Sequence, residues 1–167
     1  MRSSRGFTLM EIMVVLVLIG ILTSLAVLSA GGGPVQRLAE EAQRLAALIE
    51  LHQQEAILSG QWRGLLCASD GYSFVSGDGQ GGWQTVDSDT ALSQHSLPAD
   101  LALNLWVDDR PVELGADGPP QVLLLASGEL TAFVAVLRLR DSTDPNAPRY
   151  RVAGDTLGRL SLRELSP

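Results

Sequence analysis

The chain has 167 residues, enough for one ordinary domain and a segment with a separate task. Its 12 basic residues are all arginine, against 19 acidic ones, and the formal charge of −7 is a poor match for phosphate backbones and anionic lipid surfaces, which are bound through clustered cations. The single cysteine, Cys67, excludes an internal disulfide, and its place in the apolar WRGLLCA reads as a buried thiol rather than a nucleophile.

The first stretch, MRSSRGFTLMEIMVVLVLIGILTSLAVL, opens with Arg2 and Arg5 and then turns apolar. Between Phe7 and Ala30 the polar side chains are Thr8, Glu11, Thr23, Ser24 and Ser29. As a helix this span rises about 36 Å, against a bilayer hydrocarbon core of about 30 Å. A secretory signal peptide would explain the basic start. Its apolar core usually runs only about 7–15 residues, however, and VLSAGGG is a loose cleavage site. A plain membrane anchor, its N-terminus held inside by the two arginines, explains the length and leaves Glu11 unexplained. An ionisable side chain costs at least a few kcal/mol near the bilayer centre, so Glu11 is a functional candidate by default.

The pattern RGFTLMEIMVVLVLIG resembles the N-termini of the type IV pilin class. The resemblance implies a leader over residues 1–6, cut between Gly6 and Phe7 by a dedicated prepilin peptidase, and N-methylation of the new Phe7 terminus. It implies a single-pass transmembrane helix over 7–30 in the inner membrane, with the C-terminal domain in the periplasm. Glu11 becomes the fifth mature residue, the family's mark, with an implied role in assembly.

Gly31 to Pro34 interrupts the helical pattern, because glycine has low helix propensity and Pro34 has no N–H to give the preceding turn. It reads as a linker, or as a softened segment that bends when the chain joins a filament. In VQRLAEEAQRLAALIELHQQEAIL, the residues Val35, Leu38, Ala42, Leu45, Ile49 and Ala56 recur at helical spacing and make one apolar face. Arg37, Glu40, Glu41 and Arg44 lie mostly off it, with Glu40 and Arg44 spaced as an i,i+4 ion pair. The helix is expected to stop near Ser59-Gly60. His52 reads as a helix-surface residue beside the apolar face and His95 as part of a polar loop, so no two-histidine metal site is expected. Residues 31–59 are thus linker and amphipathic helix, and 60–167 a β-rich globular domain.

After Gly60, WRGLLCA, YSFVS and WQTV read as short strands separated by SDG and GDGQGG. LALNLWVDD alternates over Leu101, Leu103, Leu105 and Val107 as a half-buried strand. VLLLA, LTAFVAVLRLR, RYRVAG and LGRLSLR complete the set. A long helix followed by strands implies an α+β fold, the soluble helix packed on an antiparallel sheet. GDGQGG lacks the strand-then-helix context of a phosphate cradle and reads as a hairpin loop. No G-x-S-x-G and no Cys–His or paired-carboxylate constellation is present, so no enzyme and no cofactor are expected. Asp141, Asp144 and Asn146 share a loop with oxygen ligands for calcium, but at a spacing unlike the EF-hand. The same residue types are ordinary loop formers.

VLLLASGELTAFVAVLRLR (Val122–Arg140) and GDTLGR (Gly154–Arg159) resemble the H-type minor pseudopilins of the type II secretion system, in which two apolar strands flank a Ser-Gly turn as a hairpin. The resemblance implies a low-copy structural subunit of the periplasmic pseudopilus that supports export of folded proteins. The implied partners are the other minor pseudopilins, the major pseudopilin, the prepilin peptidase and the inner-membrane secretion platform, with secreted exoproteins as a further candidate. A minor pilin of a type IV pilus shares the domain and is the alternative. A DNA-uptake pilin needs a basic stripe, which disagrees with the charge, since losing Arg2 and Arg5 with the leader lowers it from −7 to −9. A periplasmic enzyme freed by ordinary signal peptidase would instead begin near Gly31.

Overall fold

The computed structural model describes residues 9–30, 33–86, 90–115 and 118–165. Its contacts fall into two units, Met1–Gly33 and Pro34–Pro167. The first holds helix α1 (Leu9–Ala30). From Leu9 to Leu22 every large apolar side chain of α1 is exposed, and apolar residues occupy all sides of it.

The second unit, the head domain, begins with helix α2 (Pro34–Ser59). Pro34 suits a first helical position, whose N–H would have no partner in any case. Gly60, at φ +69°, takes the left-handed conformation that ends helices. Leu38, Ala42, Leu45, Leu48, Ile49, His52 and Ala56 form the buried face. The first turn is exposed, Val35 included, so the packed face begins at Leu38 and not at Val35.

The strands are β1 (Arg63–Ala68), β2 (Gly71–Gly77), β3 (Trp83–Thr85), β4 (Gln94–Ser96), β5 (Leu101–Val107), β6 (Arg110–Val112), β7 (Val122–Leu124), β8 (Phe133–Leu139), β9 (Arg149–Gly154) and β10 (Leu160–Leu165). A four-residue helix, α3 (Thr90–Ser93), precedes β4. There are two antiparallel sheets where one was expected. The first runs β3-β2-β1-β7, with β4 paired to β2 beyond β3; the second runs β10-β9-β8-β5-β6. α2 packs on β8, β9 and β10 of the second sheet and on β1 and β7 of the first. One core results, in which Leu45, Ile49, Phe74, Leu105, Leu124 and Leu137 are all fully or almost fully buried. Burying each such side chain contributes roughly 1.5–3 kcal/mol.

The expected hairpin of residues 122–140 is only partly formed. Its turn exists: Leu125 N–H donates to the Glu129 carbonyl, Thr131 N–H to the Leu123 carbonyl, and Leu124 bridges Leu130. Past the turn the chain crosses between sheets, so β7 pairs with β1 whereas β8 lies between β5 and β9. The GDGQGG segment is the loop of the β2–β3 hairpin, with Gly77 opposite Trp83 and the Asp78 carboxylate accepting the N–H groups of Gln80 and Gly82 at 2.8 Å each. Asp108 and Asp109, at φ +48° and +61°, make a two-residue turn between β5 and β6 whose twist matches its strands.

Candidate assembly helix and head-domain contacts

Gly6 and Phe7, the expected cleavage and methylation positions, lie outside the described residues. Glu11 lies in the first turn of α1 and is exposed. The positive end of the helix dipole suits a carboxylate there. Glu11 is the only ionisable residue of α1. Thr23, the polar residue twelve positions on, donates its hydroxyl back to the Ile19 carbonyl at 2.7 Å and so presents no unsatisfied donor. Among the described residues no helix is long and apolar enough to cross a membrane, and the span expected over 7–30 begins outside them.

In the head domain, α2 supplies most of the polar contacts. His52 is buried and stacks on Phe74, ring centroids 4.0 Å apart, so it is a core residue and not the surface residue expected. Its Nε2 lies 3.0 Å from the Leu92 carbonyl oxygen, a bond that needs the proton on Nε2. Nδ1 then faces Glu55 Oε2 at 3.3 Å, and Arg63 Nη2 lies 3.4 Å from the same oxygen. Burial lowers the His52 pKa, with the Leu92 carbonyl opposing. His95 is also displaced from expectation: it sits in β4 opposite Tyr72, and its Nε2 is 2.7 Å from Glu41 Oε2. The two histidines are engaged separately, and among the described residues no group of three or more His, Cys, Asp or Glu side chains is placed to hold a metal.

Gln53 has no counterpart in the sequence reading. Its Nε2 donates to the Gly128 carbonyl at 2.7 Å and to the Gly158 carbonyl at 3.0 Å, tying α2 to the turn after β7 and to the β9–β10 turn. Gly158 has φ +80°, and a Cβ there would collide with the Gly128 carbonyl oxygen, so the second glycine of GDTLGR is required by close packing. The aspartate of that motif, Asp155, accepts the N–H groups of Leu157 and Arg159 at 3.0 Å each and pairs with the Arg159 guanidinium at 2.7 Å. Glu40 accepts from Gln36 at 3.0 Å, and the Glu40–Arg44 pair is absent from the ion pairs of the described residues.

The chemistry of these groups is structural. Cys67 is fully buried, and desolvation pushes its thiol up to about 12, far from a thiolate at neutral pH. In the 141–146 loop, Asp144 Oδ1 accepts the Asn146 N–H at 2.9 Å. Arg138 and Arg149 line the same shallow depression as Asp144, and two guanidinium groups oppose a cation there.

Residues 41–158 match the family described as Type II transport protein GspH. The chain belongs to this family. Residues 1–27 match the prokaryotic N-terminal methylation motif. The type II secretion system protein H of Pseudomonas aeruginosa is 41% identical over 145 residues, covering 80% of this chain and 82% of that protein. The protein H of Aeromonas hydrophila is 32% identical, covering 97% and 96%. The minor pseudopilin EpsH of the type 2 secretion system of Vibrio cholerae shares the fold at a TM-score of 0.63 and 26% identity, covering 78% of this chain and 96% of that one. The GspH match spans α2 from Glu41 to the turn before β10, so it contains the Gln53 clamp and both turns that the clamp holds. The chain is an H-type minor pseudopilin of the type IV pilin-like class, a structural subunit of the type II secretion system.

Proposed function

We propose that this GspH-family subunit is inserted in the inner membrane through residues 7–30, cut between Gly6 and Phe7 by a prepilin peptidase, methylated on Phe7 and packed into the pseudopilus at low copy. Its head domain stands in the periplasm, where neighbouring minor pseudopilins, the major pseudopilin and the inner-membrane platform act on it to support export of folded proteins. The carrying observation is a single carboxylate, Glu11, in the first turn of a helix with no other ionisable residue and with apolar side chains on all its sides.

Cleavage at Gly6 gives Phe7 a cationic amine four residues before Glu11, about 6 Å along a helix axis. Burying the two charges together is far less costly than burying either alone. Within one chain they stand i,i+4 and partly neutralise each other. In a filament, the amine of an incoming subunit meets the Glu11 of the subunit already in place at only one axial offset, so Glu11 gauges register. Mass spectrometry of the mature protein tests the processing: a methylated Phe7 terminus is expected, and loss of cleavage in a Gly6→Val variant. A mature chain that begins at Gly31 overturns the reading.

A further inference from the structure

The outer face of the second sheet gathers charge of the sign opposite to that of the whole chain. Arg138 of β8 stands directly opposite Arg149 of β9, and Arg151 of β9 directly opposite Arg163 of β10. Paired residues share a face, as do residues two apart on one strand, so all four arginines lie on one side. The other side carries Leu137 and Val152, both fully buried, and is the core side. Glu164, the acid of β10, turns to that other side, where the Tyr150 hydroxyl donates to it at 3.2 Å. None of the four arginines belongs to an ion pair of the described residues. Arg138 donates to the Asn104 side chain and to carbonyls, and Arg149 to the Pro145 carbonyl.

Like charges directly opposite one another destabilise a sheet. Two such pairs side by side, in a chain of charge −7, are a cost that no ion pair of the described residues offsets. Cross-strand neighbours stand about 5 Å apart and residues two apart on a strand about 7 Å apart. That spacing matches carboxylates three or four residues apart on a helix, about 5–6 Å, and guanidinium groups bind carboxylates through two parallel bonds. A groove of about 490 Å³ adjoins the arginines, with Arg151 in its wall and Val134, Ala153 and Ser161 beneath. Asp108, Asp109 and the Arg159-paired Asp155 line the groove towards one strand end, and Asp144 stands by Arg138 and Arg149 at the other. A long polyanion running along the strands meets the acids at both ends; a short acidic segment centred on Arg151 and Arg163 meets fewer of them.

We infer that the Arg138–Arg149–Arg151–Arg163 face docks a short carboxylate-rich segment of a neighbouring folded protein. The binding chemistry stands on its own; that the neighbour is another subunit of the assembly rests on the function proposed above.

The first test uses the full chain in detergent micelles and a fluorescent ten-residue polyglutamate peptide. Binding is expected that weakens as salt rises and falls at least tenfold in Arg151→Glu/Arg163→Glu, while Arg110→Glu binds as wild type. Equal binding by wild type and the double variant overturns the proposal. So does tighter binding of a thymidine oligonucleotide of equal charge, which would make the face a nucleic-acid surface. Arg163→Gln relieves one repulsive pair, so its unfolding midpoint should hold or rise while peptide affinity drops; a lowered midpoint would mark the arginine as structural and overturn docking. The second test places a photo-crosslinking residue at Ser161 and another at Leu16 in the cell. A Ser161 crosslink mapped to an acidic segment, lost in the double variant and restored by reversing charges on that segment, is the expected result. A silent Ser161 with an active Leu16 overturns the docking face alone. If both are silent the assembly reading fails, and the peptide measurement decides the face.

Discussion

α1 and α2 are consecutive helices of similar length, 22 and 26 residues, with opposite relations to their surroundings. α2 has one face. Its Leu38, Ala42, Leu45 and Ile49 are fully buried, while Gln43, Arg44, Ala47 and Glu50 on the far side are exposed. α1 has no face. Leu9 is 81% exposed, Met10 75%, Leu18 53% and Ile19 53%, and helical spacing puts these four on four sides of the helix. A helix apolar all round is stable only with apolar surroundings on every side, whereas a one-sided helix completes itself on its own sheets. The head domain therefore holds its helix by itself, and under the function proposed above α1 takes its apolar surroundings from lipid or neighbouring helices. If this contrast is right, substitutions in α2 and its partners unfold the head, and substitutions in α1 leave the head's folding untouched.

The largest loss is expected from Phe74→Ala. Phe74 is almost fully buried, stacks on His52 and meets Tyr72 edge-on at 6.2 Å. Truncation of such a ring costs about 3–5 kcal/mol. The urea midpoint of head unfolding should fall with an unchanged slope, and Leu16→Ala, made in parallel, should leave it where it was. A Leu16→Ala effect of similar size would mean that α1 is part of the head's cooperative unit.

Gln53→Ala should come next. It strips one donor from two carbonyls, Gly128 and Gly158, at turns that no other α2 side chain bonds among the described hydrogen bonds. Leaving such acceptors without a partner costs about 1–3 kcal/mol. Gly158→Ala should act on the same joint, since a left-handed residue with a Cβ costs about 1–2 kcal/mol before any collision with Gly128. The double variant should lose less than the two singles together, because both act on one contact.

The amount of this legible in the sequence follows from the kind of signal each part carries. The ends of α2 were legible because Pro34 and Gly60 punctuate it, and the β2–β3 hairpin because glycine and aspartate mark its turn. His52 was misplaced although its spacing placed it: Leu45, Ile49, His52 and Ala56 step by four, three and four, squarely on the buried stripe. Polarity outweighed periodicity in that reading. β4 carries no apolar alternation, so QHS gave no strand signal. The separation of β7 from β8 was hidden because an apolar run reads alike in either sheet, and only the crossover at Leu130–Ala132 decides it. The Gln53 clamp and the arginine face are products of register, which local pattern does not contain.

Acid should loosen the head in two stages. Burial holds His52 below its ordinary 6.5, so the unfolded chain takes up a proton that the folded chain refuses. The stability due to neutral His52 is complete above about pH 6.5 and is lost as the pH falls from there through the folded value. The second stage lies lower. Asp78 is held below 3.8 by the Gln80 and Gly82 N–H groups, Asp100 by Arg37, and Asp155 by the Arg159 N–H and guanidinium. Their contribution is present above that value and disappears below it. The urea midpoint measured from pH 8 to pH 3 should show both declines, and His52→Gln should remove only the upper one. An unchanged upper decline in that variant would assign it to another group.

The smallest effect on folding, and the one that separates the two helices most sharply, is expected from Glu11→Ala. Glu11 lies in the first turn of α1, outside the unit that contains the head's core, so the head's urea midpoint should stay within about 0.5 kcal/mol of wild type. Membrane insertion and cleavage should also persist, since removing a charge from an apolar segment favours its burial and leaves Gly6 in place. What should fall is incorporation. Without the carboxylate an incoming amine has no partner at any offset, and the register of α1 against its neighbours is no longer selected. If the subunit is packed at low copy, as proposed above, it makes the contact once instead of at every step, and the loss should be partial. Mass measurement for processing, crosslinking from Leu16 for incorporation and enzyme secretion, all in one strain, read these separately. Normal crosslinking and full secretion would show that Glu11 has no part in assembly here. Failed cleavage would place its role one step earlier, in recognition by the peptidase.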